Sequence, residues 1–427
     1  MDQLIGSIIG QTVCMLKQKS KVVLMALGQP STNPRLLKEA LWFSENGCEV
    51  FVLYCFWSKW SYHTDKKIVA QNSSIKWIEI GGNPFTKKLV YLFTRCRFKL
   101  LRLIASRFPT SLFWAERSMC RCFNELFRTA ISIHASLYIA HNLGALPVVG
   151  KIASIVKKPF VFDAEDFHRG QSASRSLSFS QASLIESYWM PKARLITTAS
   201  PFITEQYRHL LGLESLIINN VFCINNSLAI NTHIKTPVKL FWFSQTIGKG
   251  RGIEDLLVGL KKFPLGSFSI TLMGDLSKEM ENYLRGIVLE KNDEKVDLSF
   301  LTPVEPDKIF EIAANYDIGL AIEPQINENN DLIFTNKLFT YLSSGIAILF
   351  TSTSAQKHFF NEHSNIGWIY PSGDIDSLVL VLKQILRHPG ELLSYKHNSR
   401  QLAAKVYNWE TEQAKLMNHM NLINSNA

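Results

Sequence analysis

The unbroken apolar run Ile346-Ala-Ile-Leu-Phe350, set directly after Gly345, constrains the fold of this chain more than any other feature. A strand with one face in water alternates polar and apolar residues; a run without a polar break needs cover on both faces, as strands of parallel sheets have. The residues before it supply such cover. Leu338, Tyr341 and Leu342 fall on one helical face, Gly345 sits where a left-handed C-cap is wanted, and Thr335 or Asn336 can cap the start, with Lys337 in the first turn. The preceding run, Asp317 to Glu323, reads as another strand, and a polar loop from Pro324 to Phe334 leads from it to this helix. In an open parallel sheet, a strand's carboxyl end facing a helix N-terminus is where an anionic ligand is held.

The same rhythm runs through the whole sequence. Lys21 to Leu27, Glu49 to Tyr54 and Ile75 to Ile80 read as strands, and Asn33-Pro34 opens a helix between the first two, Asn33 as cap and Pro34 at the first helical position. Ser136 to Ala140, Pro159 to Asp163 and Leu195 to Thr198 continue the series, with a helix from Pro147 and another from Ser200-Pro201. Asn225 to Thr236 is polar and without period. After it, strands at Val238 to Phe243, Ser269 to Met273, Leu298 to Leu301 and Ile318 to Ile322 alternate with helices, and the last helices run over Ile375–Arg387 and from Glu391 to about Leu416. At 427 residues the chain is too long for one core. The expected architecture is α/β: two Rossmann-like domains facing across a cleft, with a C-terminal helix crossing back to the first. The expected boundaries are 1–225, a linker at 226–236, 237–405, and a helix or tail at 406–427. No GxGxxG follows the first strand, which argues against a plain nicotinamide-dinucleotide enzyme.

Several classes are disfavoured. The seven cysteines form no CxxC pair and no zinc-spaced array, so they read as reduced, mostly buried thiols of a cytosolic protein. No run of about 18 apolar residues provides a membrane span, and Asp2 with no basic stretch before Leu4 argues against a signal peptide. The formal net charge of +10 is concentrated: Lys87, Lys88, Arg95, Arg97, Lys99, Arg102 and Arg107 lie in one segment without an acidic residue. Residues 84–133 read as two helices broken near Pro109, with Leu89, Leu92, Phe93, Leu100, Leu103 and Ile104 among the basic side chains. Three uses fit: a helix lying on anionic lipid headgroups, a solvated helix whose apolar stripe packs on its own domain, or a nucleic-acid surface. No nucleic-acid module accompanies the charge, which disfavours the third.

Four segments, in order, resemble retaining GT-B-fold glycosyltransferases of the family-4-like group. They are Phe243-Ser-Gln-Thr-Ile-Gly-Lys-Gly-Arg-Gly-Ile-Glu-Asp-Leu-Leu257, Ile270-Thr-Leu-Met-Gly-Asp275, Asn336-Lys-Leu-Phe-Thr-Tyr-Leu-Ser-Ser-Gly345 and Gly367-Trp-Ile-Tyr-Pro-Ser-Gly-Asp374. The first domain is similar more loosely, through Asp163-Ala-Glu-Asp166 and Thr197-Thr-Ala-Ser200. The resemblance implies transfer of a sugar from a nucleotide-sugar donor to a glycan or a lipid-linked precursor of a bacterial surface polysaccharide. It also implies retention of configuration, no cofactor and no metal.

Breaking a sugar–phosphate bond leaves negative charge on a nucleoside diphosphate, which fixed cations and helix N-terminal amides stabilise. Arg251 stands at the basic position of the signature and Lys249 beside it, while Gly248, Gly250 and Gly252 admit the backbone close to a diphosphate; otherwise this loop is a solvated turn. Asn336 and Lys337 would lie near diphosphate or sugar, or serve only as helix caps. Asp275 closes the second motif, and Glu323 would hold a ribose hydroxyl or be merely solvated. Two departures stand out. The second glutamate of the family's E-x7-E pair falls at Thr340 and the first at Leu332, and the family's strand-end histidine is Glu165, with His141 and His168 as nearby substitutes. The resemblance implies that the acceptor site belongs to the first domain. Its basic helix would hold that domain on the inner, cytoplasmic face of a membrane, without nucleic acid as partner. A catalytically silent scaffold and a sugar-nucleotide epimerase are the alternatives.

Overall fold

The computed structural model describes residues 20–425 except 226–227, 233 and 291–292. The N-terminal residues 1–19, with Asp2, Leu4 and Cys14, and residues 226–227 and 233 of the expected linker, lie outside the described residues.

The chain forms two units. The first holds the described residues up to Thr198, takes in Thr204–Ile218 and regains the chain from Gln413; the second holds Ala199–Ile203 and Asn219–Glu412. The helix Trp409–Ser425 therefore starts in the second unit and continues in the first.

In the first unit, β1 (Lys21–Ala26), β2 (Glu49–Cys55), β3 (Lys76–Ile80), β4 (Leu137–His141), β5 (Phe160–Ala164), β6 (Leu195–Thr198) and β7 (Leu216–Ile217) form one sheet in the order β3-β2-β1-β4-β5-β6-β7, every pair parallel. Val22, Val23, Leu24 and Met25 are fully buried, as cover on both faces demands. The helix Pro34–Glu45 starts as its sequence dictates, Asn33 Oδ1 accepting the Leu36 amide at 3.0 Å.

The second unit contains β8 (Val238–Thr246), β9 (Phe268–Asp275), the small antiparallel hairpin of β10 (Leu289–Glu290) and β11 (Asp293–Glu294), β12 (Asp297–Leu301), β13 (Ile318–Ala321), β14 (Ala347–Thr351) and β15 (Gly367–Tyr370). Its main sheet is again all parallel, in the order β12-β9-β8-β13-β14-β15. The apolar run that anchors the sequence argument is β14, fully buried on both faces. The helix before it spans Asn336–Ser344 and ends at Gly345, whose φ of 66° is the left-handed cap that glycine adopts without cost.

Several elements depart from expectation. Residues 84–133 hold three helices: Lys88–Arg107, Leu112–Met119 and Phe123–Ile131. The first break falls near Pro109 as expected. The second, at Cys120–Cys122, has no proline or glycine to announce it; there the Cys122 thiol fills the space over Gly81, a tertiary contact that local pattern does not show. The helix Leu177–Trp189 and strand β15 were not anticipated, and the C-terminal helix is two, Pro389–Lys405 and Trp409–Ser425. The six described cysteines are free thiols, four buried and two exposed.

Candidate functional site

Each sheet reverses its direction of growth once: between β1 and β4 in the first unit, and between β8 and β13 in the second. Ligands in open parallel sheets bind outside the strand ends at such a reversal.

In the second unit the loop after β8 and the end of β13 meet there. Gly252 has φ 78°, and a Cβ on it would lie 2.7 Å from the Ile322 carbonyl oxygen, so only glycine lets the loop close on the neighbouring strand end. Gly252 also caps the helix Ile253–Leu260 without any side-chain bond, and Thr335 caps Asn336–Ser344 with its hydroxyl making none. Elsewhere in this unit Ser277, Asn327, Thr353 and Asp374 each accept a first-turn amide, while Lys308–Ala313 and Pro389–Lys405, away from the reversal, also start without a side-chain cap. The two helices that begin at the reversal thus keep their first-turn amides free of side-chain caps, the condition for binding an anion.

The charged groups are arranged around this point. Arg251 is exposed, and its Nη1 donates to Ser244 Oγ at 3.2 Å, which aims the guanidinium back along the end of β8. Glu254 accepts the Gly250 amide at 2.9 Å and holds the loop. Gly248 is half-buried, and a Cβ on it would lie 3.9 Å from Arg251 Nε. Lys249 points elsewhere, its Nζ 4.1 Å above the Tyr283 ring. Asp275, exposed, ends β9 beside Thr246. Glu323 and Lys337, both buried, form an ion pair at 2.6 Å, with Lys337 Nζ also 5.3 Å from the Trp242 ring centre. The Thr351 hydroxyl donates to the Glu323 carbonyl oxygen at 2.7 Å and fixes the strand end. Asn336 is exposed at the helix start. Thr340 is buried, and its hydroxyl donates to the Asn336 carbonyl at 2.8 Å, so it faces its own helix.

At the reversal of the first unit lies a buried cluster. Arg35 reaches Asp163 at 2.6 Å and donates to the Ile218 carbonyl at 2.6 Å, while His141 sits 3.0 Å from Asp163 through Nδ1 and 3.2 Å from Glu39 through Nε2. Thr197 donates to Asp163 at 2.6 Å. Burial alone pushes the His141 pKa down, but the Glu39 and Asp163 carboxylates outweigh it and hold the value at about 10. For Asp163, burial is likewise outweighed, here by Arg35 and His141, and its pKa is lowered. Glu39, His141 and Asp163 offer three ligand atoms within 4.8 Å of one another. The positive charge that a metal ion would bring is already supplied there by Arg35 and the imidazolium. His141 has both ring nitrogens engaged and no exposed surface, so it orders strand ends and does not reach a ligand. Half-buried Glu165 is different: burial, then the Asp163 charge, push its carboxyl up to about 7 against the pull of Arg35 and His141. His168 lies buried against the Phe162 ring, outside this network.

Residues 266–418 match a family model described as glycosyl transferase-like, so the second unit carries a glycosyltransferase-like domain. Among solved structures the chain is similar to the Anabaena protein HepE bound to UDP and glucose, at a TM-score of 0.66 and 14% identity over 94% of this chain and 100% of that one. It is similar as well to the sucrose-phosphate synthase of Thermosynechococcus elongatus (0.66, 11%, 96% and 100%) and to the lipopolysaccharide outer core galactosyltransferase WaaB (0.58, 14%, 94% and 99%). The fold is GT-B. Among curated proteins no sequence matches the chain.

In this GT-B chain the basic segment forms the helix Lys88–Arg107, with Lys87 as its N-cap. Tyr91, Thr94, Phe98, Leu101 and Ala105 face the first unit's body. Leu89, Leu92, Phe93, Leu100 and Leu103 form a stripe on the opposite face, Leu89 being 83% and Phe93 64% exposed. The apolar stripe therefore does not pack on its own domain, and that reading of the segment is corrected. Lys88, Arg95, Lys99, Arg102 and Arg107 are exposed with it, whereas Arg97 is neutralised by Glu125 at 2.6 Å. No described helix is long and apolar enough to cross a membrane. Sequence reasoning missed Arg35, Glu39 and Ser244. Only the i, i+4 spacing of Arg35 and Glu39 on one helix gave any signal of the cluster.

Proposed function

We propose that the protein transfers a sugar from a nucleotide-sugar donor to a lipid-linked or surface-polysaccharide precursor, with retention of configuration. The observation that carries this reading is the meeting of exposed Arg251 with the uncapped starts of the helices Ile253–Leu260 and Asn336–Ser344 at one sheet reversal. Both bring positive charge to the place where a diphosphate gathers negative charge as the glycosidic bond breaks, without a metal ion. The similarity to HepE bound to UDP and glucose supports a nucleoside diphosphate there.

In the proposed mechanism Gly248 and Gly252 let the loop backbone approach the diphosphate while Glu254 holds the Gly250 amide, and Arg251 binds the diphosphate's outer oxygens. Lys337 fixes Glu323 so that the carboxylate is presented to the donor's sugar hydroxyls, and Asn336 stands at the mouth of the site. Thr340 is left out of donor contact by its inward bond. Leaving-group oxygens take the acceptor's proton as it attacks from the same face. In the first unit Glu165, charge-coupled to the Arg35–Asp163–His141 cluster, accepts a hydrogen bond from a second hydroxyl of the acceptor, which leaves the attacking hydroxyl's proton to the leaving group. Incubating the purified chain with sugar nucleotides and acceptor, and analysing the products by mass and by NMR, tests the transferase reading. An unchanged acceptor with an isomerised donor would reveal an epimerase, and no change in either a silent scaffold. If Glu165 acts ionised, turnover rises as pH climbs through about 7, and Glu165→Gln removes that rise; an unaltered pH profile would remove Glu165 from the mechanism.

The exposed stripe of Lys88–Arg107, flanked by Arg95, Lys99 and Arg102, suits a helix lying in the headgroup layer of an anionic membrane, at its cytoplasmic face. Flotation with vesicles checks this. The protein is expected to rise with phosphatidylglycerol vesicles and less with neutral ones, and Leu89→Ser with Phe93→Ser is expected to abolish flotation. Equal recovery with both vesicle types would contradict the membrane role.

A further inference from the structure

A cavity of about 390 Å³ opens in the first unit beside the ends of β1 and β2, under one edge of the basic helix. Arg95, Lys99 and Arg102 line it from the helix at i, i+4 and i+7, and Arg121 lines it from the turn before Phe123–Ile131; Trp57 and Phe98 supply aromatic wall. Among the described residues no carboxylate pairs with any of these four cations, although Arg97 on the same helix is matched with Glu125. Two of them are held in place by neutral partners. Arg95 donates to the Tyr91 hydroxyl at 2.6 Å, and Arg121 donates to the Phe56 carbonyl at 3.1 Å and to Thr94 Oγ1 at 3.3 Å. Four uncompensated positive charges around one concave site call for an anion of more than one charge. Leu92 and Leu103, on the exposed stripe, stand one turn from Arg95 and Lys99, so apolar surface begins where the charged wall ends.

We propose that this cavity binds the phosphate or diphosphate headgroup of a lipid whose hydrocarbon lies along the stripe, and that this lipid carries the acceptor. Only the word acceptor rests on the transferase reading; headgroup binding does not. Trp57, 73% exposed at the rim, reports occupancy by fluorescence. Full-length protein is titrated with farnesyl diphosphate, inorganic diphosphate and farnesol. Farnesyl diphosphate is expected to bind at least about tenfold more tightly than either part, and Lys99→Ala with Arg102→Ala to weaken it by about tenfold or more. Both side chains are exposed, so the variant is expected to melt as the wild type does. Farnesyl diphosphate binding no better than inorganic diphosphate in the wild type would overturn the proposal, as would an unweakened variant. If lipid diphosphate fails while a sugar nucleotide is still turned over, the cavity assignment falls and the transferase reading stands. Selective lipid diphosphate binding without any sugar-nucleotide turnover would overturn the acceptor role.

Discussion

Replacing Arg251 with alanine is expected to lower kcat for sugar transfer by about 10²–10³-fold, the effect of deleting one preorganised group that stabilises developing charge. The expectation follows from placement. Arg251 is exposed, is tied to Ser244, and stands at the reversal of the second sheet where two uncapped helices begin. Its loss leaves the fold nearly unchanged, within ~0.5 kcal/mol for an exposed side chain outside the core. Steady-state rates with thermal melts of the same preparation separate the two effects. A variant that melts normally and transfers at the wild-type rate would remove Arg251 from the mechanism.

His141→Ala is expected to do the opposite, costing stability by up to about 3–5 kcal/mol, because it removes one charged partner from each of two buried carboxylates, Glu39 and Asp163, and leaves both to Arg35. For a unit of this size that lowers its melting midpoint by about 6–20 °C. The pH dependence has a definite sign. The folded pKa of about 10 lies above the ordinary 6.5, so the contribution of His141 is fully present below about pH 6.5 and is lost as pH rises through about 10. Wild-type stability should therefore fall between these values, and the fall should be smaller in the variant. Melting curves from pH 6 to 10 check it; parallel curves for both proteins would show that the imidazole is not charged in the folded state.

The strands were legible wherever cover on both faces forces an apolar run, as in Val22–Met25 and Ile346–Phe350. Helix starts were legible where side-chain chemistry is local, as at Asn33-Pro34. The loop of Gly248 to Gly252 was legible because glycine and cation alternate there for a backbone reason, seen in the contact of Gly252 with Ile322. What stayed hidden depends on distant residues. Arg35, Glu39, His141, Asp163 and Thr197 come from four separate elements, and no window of sequence contains their meeting. Strand β15 was hidden because Gly367-Trp-Ile-Tyr370 is too short for periodicity and runs straight into turn residues. Helical spacing showed that Leu89, Phe93 and Leu100 share a face but not whether that face looks inward. The pairing of Glu323 with Lys337 was equally invisible, since the loop between them conceals that a strand end and a helix start are adjacent.

The most direct test of the central claim is the mass of the products when purified protein is given a uridine-diphosphate sugar and a lipid-linked acceptor. The expected result is an acceptor heavier by one sugar residue, with one nucleoside diphosphate released for each transfer and, by NMR of the product, the anomeric configuration retained. An acceptor of unchanged mass with the sugar nucleotide intact, across a panel of donors and acceptors and with correctly folded protein, would contradict it.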